Sequence, residues 1–488
     1  MNSSGSSSNN SYTLKSYLSQ VESSIQNKNA RKLQKLLMIN HAKARARAEF
    51  PEPSVFDLYN LNKFGPVITH HLQVLKSAYI THSSASCFEN MNLQCSNLVK
   101  ASEQIEGNWI MPVILSCFGD LIALYKVATD RAPEDLDMII ADSEFDDWGG
   151  GGNSNTTASK KKVSKLEELI NTLKMGFNLS NNDKTLDVKL SKRNDVYFFL
   201  ANLIKYYFKM GKIALAKSAI NSVKAGNKTL PNMTANASTS ANAITYLYYQ
   251  ALVSLDDGQY VESEDALNRA MDLIANHTDK SSKQLQSLLK ILIPLKLYNK
   301  GKIPHESVWQ RFPDLKLMYR DNFLDAILRG DLYKYERCME KFQLVLLKNH
   351  LYILMELLRQ FVQLKVVHKT YKITSELQTG EKSTPFSAFK VALELSLCPS
   401  QKEEEGGGKE KGDQENGGTG NGIGNADNKD EEDNVMSYSR HISDYEVESI
   451  VCNLITQGYI RGYVSNTNRV VVFSKSLPFP KIADVKIE

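Results

Sequence analysis

Apolar residues recur at three- and four-residue spacing over most of the chain up to about position 398, the period of an amphipathic helix. Over residues 344–367, Leu347, Leu351, Leu354, Leu358, Phe361 and Leu364 form one stripe with no Pro or Gly inside it, which predicts a single long helix. Residues 166–179 and 285–297 carry the same period. A larger unit also repeats. Residues 195–210 predict a helix, Gly211-Lys212-Ile213 a turn and residues 214–223 a returning helix. Residues 244–255, Asp257-Gly258-Gln259 and residues 260–274 follow the same plan. Superposing Gly211 on Gly258 brings Leu200 onto Leu247, Ile204 onto Ala251, Ala219 onto Ala266 and Val223 onto Ala270. A weaker third copy has Leu297 before Gly301-Lys302-Ile303, and a fourth has Phe323 and Ala326 before Gly330-Asp331-Leu332. One helix pair cannot bury its own apolar face, so such pairs are expected to stack into a right-handed, TPR-like solenoid.

The pattern changes near the C-terminus. Thr384-Pro385 opens a short helix over residues 386–397, with Pro expected at its first position. Ser443-Asp444-Tyr445-Glu446 is a capping box that starts another helix, with Val447, Ile450, Val451, Leu454 and Ile455 as its buried stripe and Gly458 as its end. Strands are predicted over residues 459–465 and 469–474, joined by Asn466-Thr467-Asn468. Three helices, the first over residues 367–377, and a hairpin make a winged helix. The fold class is therefore an all-α helical-repeat solenoid ending in a winged helix with a small β-hairpin wing. Four stretches hold too little apolar surface to order themselves: a tail over 1–11 and insertions over 149–162, 227–242 and 401–434. The expected organisation is helical repeats over 12–240, a second helical part over 243–380, and the winged helix over 381–482 with the last insertion inside it.

Composition narrows the class. Hydrophobic residues are 42% of 488 and charged residues 23%, the balance of a globular protein. Six scattered cysteines without a CxxC pair suggest reduced, mostly buried thiols and an intracellular setting. The Ser/Asn-rich start is not a secretory signal, and the apolar stretch 110–127 is broken by Asp120 and Lys126, so it reads as a core helix and no membrane partner is expected. The formal charge of +4 conceals an asymmetry. Residues 401–434 hold eleven acidic and four basic side chains, a net of −7, which leaves +11 on the rest. That basic excess suits nucleic acid or an acidic partner, and it equally suits simple solubility.

Catalytic signatures are missing. Gly406-Gly407-Gly408-Lys409 lacks the strand of a phosphate loop, His305-Glu306 lacks a second His one turn on, and His70-His71 has no ligand at metal spacing. No enzyme activity, cofactor or metal is therefore expected. The binding signals are cationic. Arg31, Lys32, Lys35, Lys43, Arg45 and Arg47 form a run with no carboxylate among them. Lys348, Arg359, Lys365, Lys369 and Lys372, with His350 and His368, follow the long helix, and Arg461, Arg469 and Lys475 lie on or beside the wing. These eight Lys/Arg residues are the candidate nucleic-acid contacts, suited to a phosphate backbone more than to base edges. A solvated helix face or a seat for an acidic protein remains the alternative for each. The helix after Ser443 carries three carboxylates and no base up to Glu448, so it is not a typical reading helix.

At the level of motifs the chain resembles the PCI-domain family. Glu106-Gly107-Asn108-Trp109-Ile110-Met111-Pro112-Val113 with Phe118-Gly119-Asp120-Leu121, and Ile291-Leu292-Ile293-Pro294-Leu295-Lys296, are similar to two blocks of one branch. The ending Gly458-Tyr459-Ile460-Arg461-Gly462-Tyr463-Val464-Ser465, followed by Ser476-Leu477-Pro478-Phe479-Pro480, is the most specific of the three. That branch holds COP9 signalosome subunit twelve, the Thp-type transcription-export subunit and PCI-domain-containing protein two. The resemblance runs from about Tyr12 to Ile482, the insertions apart. It implies a non-catalytic scaffold that forms a hetero-oligomer with a second PCI-domain subunit and a small acidic Sem/Dss-type peptide. It also implies RNA or DNA contact by the winged helix, residence in nucleus and cytoplasm, and a role in transcription, mRNA processing and export. A signalosome-associated docking subunit without nucleic-acid binding is the second expectation.

Overall fold

The computed structural model describes residues 12–131, 164–185, 187, 190–225, 230–275, 282–377, 383–399 and 441–485. The expected unstructured stretches 1–11, 149–162 and 401–434 lie outside these residues. The chain divides into two compact units, residues 1–253 and 254–488.

In the first unit the helices are α1 (Leu14–Gln26), α2 (Ala30–Leu37), α3 (Ala44–Ala48), α4 (Gly65–Tyr79), α5 (Ser84–Ser102), α6 (Met111–Arg131), α7 (Lys165–Asn181), α8 (Val196–Lys209), α9 (Ile213–Ala225) and α10 (Ala237–Asp256). Helix α6 is long and apolar enough to cross a membrane by composition, yet Val113, Ile114, Phe118 and Leu121 are fully buried within the unit. The turn between α8 and α9 takes Gly211 to φ +74°, the left-handed region where a Cβ is strained. In the second repeat Gly258 has the same φ, and Gly301 and Gly330 are left-handed as well, so all four expected turns form. The superposed positions Leu200, Leu247, Ile204, Ala251, Ala266, Val223 and Ala270 are buried; Ala219 is half-buried.

Residues 237–242, expected to be an unfolded insertion, instead form the first turns of α10. Asn236 accepts from the Thr239 N–H at 2.7 Å, Ser240 donates to Met233 O at 2.8 Å, and the Ala-rich sequence favours helix once those ends are satisfied. Residues 227–229 of that expected insertion lie outside the described residues.

One buried cation anchors the start of the unit. Arg47, only 1% exposed, donates to Leu36 O at 2.8 Å and to the Tyr12 hydroxyl at 3.0 Å, and lies 5.1 Å from the Tyr17 ring centroid. Its described partners are the carbonyls of Lys35 and Leu36, the Tyr12 hydroxyl and His41 Nδ1, and no carboxylate; Leu36 lies in the last turn of α2, where unpaired carbonyls attract positive charge. The same burial makes His71 a core residue. Its pKa is pushed down to about 3, first by burial and then by the charge of Arg47.

The second unit holds α11 (Tyr260–Ala275), α12 (Ser282–Lys300), α13 (Glu306–Arg311), a π-helix over Lys316–Leu324, α14 (Asp325–Arg329), α15 (Leu332–Lys348), α16 (Tyr352–Leu377), β1 (Ser383–Pro385), α17 (Phe386–Ser396), α18 (Asp444–Thr456), β2 (Gly462–Ser465) and β3 (Val470–Phe473). The single helix expected over 344–367 is two. Asn349 ends α15, His350 turns left-handed at φ +56°, and the Leu351 N–H donates back to Leu346 O at 2.9 Å while its side chain is fully buried. The apolar period survives because Leu351 begins the next stripe on the same side. Leu347, expected in that stripe, is exposed.

The strands form one antiparallel sheet in the order β1-β3-β2, with Thr384 opposite Val471 and Val464 opposite Val471 on the other side. Strand β1 was not expected. Pro385 closes it and caps α17, so the proline stands before the first helical position and not in it. The capping box forms as read: Ser443 accepts from the Glu446 N–H at 3.2 Å and the Glu446 carboxylate accepts from the Ser443 N–H at 2.8 Å. The result is a helical-repeat fold that ends in a winged helix.

Glycine packing gives a test of the first unit. A Cβ on Gly176 of α7 would stand 2.4 Å from the Phe199 ring, which itself packs edge-on against Phe118 at 5.1 Å. Gly119 in α6 has open space around it. Ala in place of Gly gains ~1 kcal/mol in a helix, whereas overpacking costs about 1–3 kcal/mol. Thermal denaturation is therefore expected to show a higher Tm for Gly119→Ala and a lower one for Gly176→Ala.

Candidate nucleic-acid interface

The winged helix is assembled on the C-terminal half of α16. Tyr371 packs on Phe473 of β3 at 4.4 Å between ring centroids and on Phe479 at 5.5 Å, and Phe473 meets Phe389 of α17 at 6.4 Å. The glycines of the terminal motif have a physical reason. A Cβ on Gly462 would come within 2.3 Å of Val472 O, so β2 can approach β3 this closely only without a side chain there.

The eight candidate cations fall into separate places. Lys365, Lys369 and Lys372 lie on α16 at three- and four-residue spacing with His368 between them, one face of a helix. Lys369 Nζ donates to Arg329 O, the last carbonyl of α14, at 2.6 Å. The Arg461 N–H donates to Pro478 O at 2.8 Å, and Phe479, the next residue, packs on His368 at 4.5 Å. Arg461 is thus joined to the lysine-bearing side of α16 through one residue, and Lys475 lies four residues before that contact. Lys365, Lys372 and Arg461 have no carboxylate partner among the described residues.

The other three are elsewhere. Arg359 hydrogen-bonds Glu336 of α15, and Arg469, in the wing turn at φ +50°, hydrogen-bonds Asp444 at the start of α18. Asn466 in the same turn donates to Glu448 at 2.8 Å, so the carboxylates of α18 occupy the wing tip. Lys348 ends α15, near the start of α16 and about 26 Å along that helix from Lys369. The N-terminal run does not form one surface either, because Arg47 is buried. Of the histidines considered, His305 caps α13 by accepting from the Ser307 N–H, and no group of three metal-ligating side chains occurs among the described residues.

Two contributors escaped the sequence reading. Tyr463 is 62% exposed on β2 and stands opposite Val472, on the sheet face away from Phe473 and Tyr371. Lys481 is exposed two residues after Phe479. The strand expected over 459–465 was a signal for the first; nothing local marked the second. Electrostatics agrees with a cationic face. His368 has its pKa lowered by burial first and then by Lys365 and Lys372.

Four of the six cysteines, Cys87, Cys95, Cys117 and Cys338, are buried, Cys452 is half-buried and Cys398 is exposed. Burial pushes the Cys87 thiol up to about 11 and Cys117 up to about 12.

The PCI domain, a winged-helix module, matches by its family profile over residues 435–475, within the winged helix described above. A "Protein CSN12 homolog" of Debaryomyces hansenii is 37% identical over 476 residues, covering 96% of this chain and 98% of the relative. "PCI domain-containing protein 2" of Xenopus laevis is 22% identical over 97% of this chain and 99% of its own length. "COP9 signalosome complex subunit 12" of Eremothecium gossypii is 24% identical over 60% of this chain and 62% of its own length. The chain belongs to the PCI-domain family of CSN12 homologs and PCI domain-containing protein 2.

The lowered His368 pKa means that the unfolded chain takes up this proton more readily than the folded one. The residue therefore favours the folded state above its ordinary pKa of 6.5, and that advantage is lost as pH falls through the 6.5 of the unfolded chain and below. Replacing Lys365 and Lys372 by Gln is expected to raise the His368 pKa toward that ordinary value, measured by NMR titration of the imidazole.

Proposed function

We propose that this protein is a non-catalytic scaffold subunit of a nuclear complex that couples transcription, mRNA processing and mRNA export, with RNA or DNA held by its winged helix. The observation that carries the nucleic-acid part is the cationic face of α16, Lys365, Lys369 and Lys372, free of carboxylate partners among the described residues and joined to Arg461 through Phe479, with Tyr463 exposed on the wing. Lysines at helical spacing suit phosphates and an exposed ring suits an unstacked base, a combination that favours single strands and carries little sequence preference. We infer assembly with a second PCI-domain subunit and a small acidic Sem/Dss-type peptide, in nucleus and cytoplasm; membership of the PCI family and the helical-repeat architecture, which offers surface for partners, support the multisubunit part of this reading.

A second reading has its own support. The relative from Eremothecium gossypii is named a COP9 signalosome subunit, and on that reading the same face docks protein and never meets nucleic acid.

Charge reversal separates the two. The triple variant Lys365→Glu, Lys372→Glu, Arg461→Glu is expected to weaken binding of single-stranded RNA, read by fluorescence polarisation, by roughly tenfold or more at moderate salt and to flatten its salt dependence. Affinity purification with nuclease present should still recover the second PCI subunit. Unchanged RNA affinity together with loss of that subunit would favour the docking reading.

A further inference from the structure

The cationic face of α16 stands beside the root of the most acidic stretch of the chain. Lys369 Nζ donates to Arg329 O at 2.6 Å. On the next residue, Ser396 Oγ donates to Gly330 O at 2.8 Å and accepts from the Leu332 N–H at 2.9 Å. Lys365 lies against the same turn: a Cβ on Gly330 would meet its Cγ at 3.5 Å. Lys365, Lys369 and the last residue of α17 thus share one turn of backbone.

Ser396 is where the chain leaves the winged helix for residues 400–440, which lie outside the described ones. Three consecutive carboxylates, Glu403, Glu404 and Glu405, come seven to nine residues later, and seven residues span at most roughly 24 Å. At the far end the chain returns beside α17, since the Glu394 carboxylate accepts from the Ile442 N–H at 3.1 Å and lies 3.0 Å from His441 Nδ1. Both ends of an acidic stretch of net charge −7 are therefore tied to the helix whose end touches the lysine-bearing turn.

We propose that the Glu403–Glu405 segment docks on the α16 face formed by Lys365, Lys369 and Lys372, as an internal polyanion that occupies this surface when no external one does. Lys365 and Lys372, without carboxylate partners among the described residues, gain the counter-charge they lack. Tethering makes the encounter intramolecular, so that a contact too weak to hold between separate molecules is populated here. An external polyanion then has to displace the segment, which lowers its apparent affinity and sharpens discrimination against short or weakly charged ligands. The docking itself requires only charge complementarity and reach, and it is distinguishable from the nucleic-acid role because it operates in the free protein.

The test uses the full chain without nucleic acid. Lysine acetylation rates are read by mass spectrometry, with Lys348, the last residue of α15 near the far end of α16, as the internal reference. Glu403→Gln, Glu404→Gln, Glu405→Gln keeps the length of the chain and removes the charge. Acetylation of Lys365 and Lys372 is expected to accelerate by about threefold in this variant, the size expected of a screened surface ion pair, and the difference should vanish in high salt. Carbodiimide, which joins carboxylate to amine without a spacer, should link Glu403–Glu405 to the α16 lysines in the unaltered protein. Equal acetylation rates in both proteins, or cross-links that bypass α16, would overturn the docking whatever the outcome for RNA.

Discussion

A helix of 26 residues is about 39 Å long, and α16 has to bury most of that length to be stable in water. It does so by being the shared wall of the second unit. Leu354, Leu358, Phe361 and Val362 are buried along its first half, and Val366, Val367 and Thr370 continue inward beside α14 and α17. What α16 leaves facing solvent in its second half includes Lys369 and Lys372, with the half-buried Lys365 one turn before them and His368, Ile373, Glu376 and Leu377 exposed beside them. The cationic face is thus what the packing leaves over: its position follows from which sides of the helix the neighbours take. Anything that reoriented α16 would move the sheet, through Tyr371 and Phe473, and the lysines together.

The legible and illegible parts of the fold differ in the range of the interactions that set them. Turn glycines, the capping box and the hairpin are decided within a few residues, so Gly211, Gly258, Ser443 with Glu446, and Val470 to Phe473 could be read directly. Strand β1 could not. Its three residues carry no alternation, and they are a strand only because Val470, Val471 and Val472, some 87 positions later, offer an open edge. The break at His350 was hidden because both helices present apolar residues in phase. Residues 237–242 looked unfolded by composition, and became helix because Asn236 and Met233 satisfy the ends.

The same division runs through the candidate site. The spacing of Lys365, Lys369 and Lys372 on one helix face is a local fact and was available from the sequence. Whether a cation is already neutralised is not local. Asp444 lies 25 positions from Arg469 and Glu336 lies 23 from Arg359, and neither pairing has a sequence signature. Arg47 is the extreme case: a member of a basic run, it lies in the core because the carbonyl end of α2 and two tyrosines can solvate it. A charge run in a helical protein therefore marks where cations are, and only the packing says which of them face outward.

The connection between α17 and α18 has a property of a different kind. Its two ends are fastened to one helix, by Ser396 on the outgoing side and Glu394 on the returning side, before the capping box restarts regular structure. The entropy of closing a loop grows only with the logarithm of its length, so each doubling adds only ~0.6 kcal/mol once the ends are held. The winged helix is in that sense open to grafting. Sequence can be lengthened, shortened or exchanged between Ser396 and His441 while the module on either side keeps its register, which makes this the natural port of entry for new linear motifs during divergence and for a reporter in the laboratory.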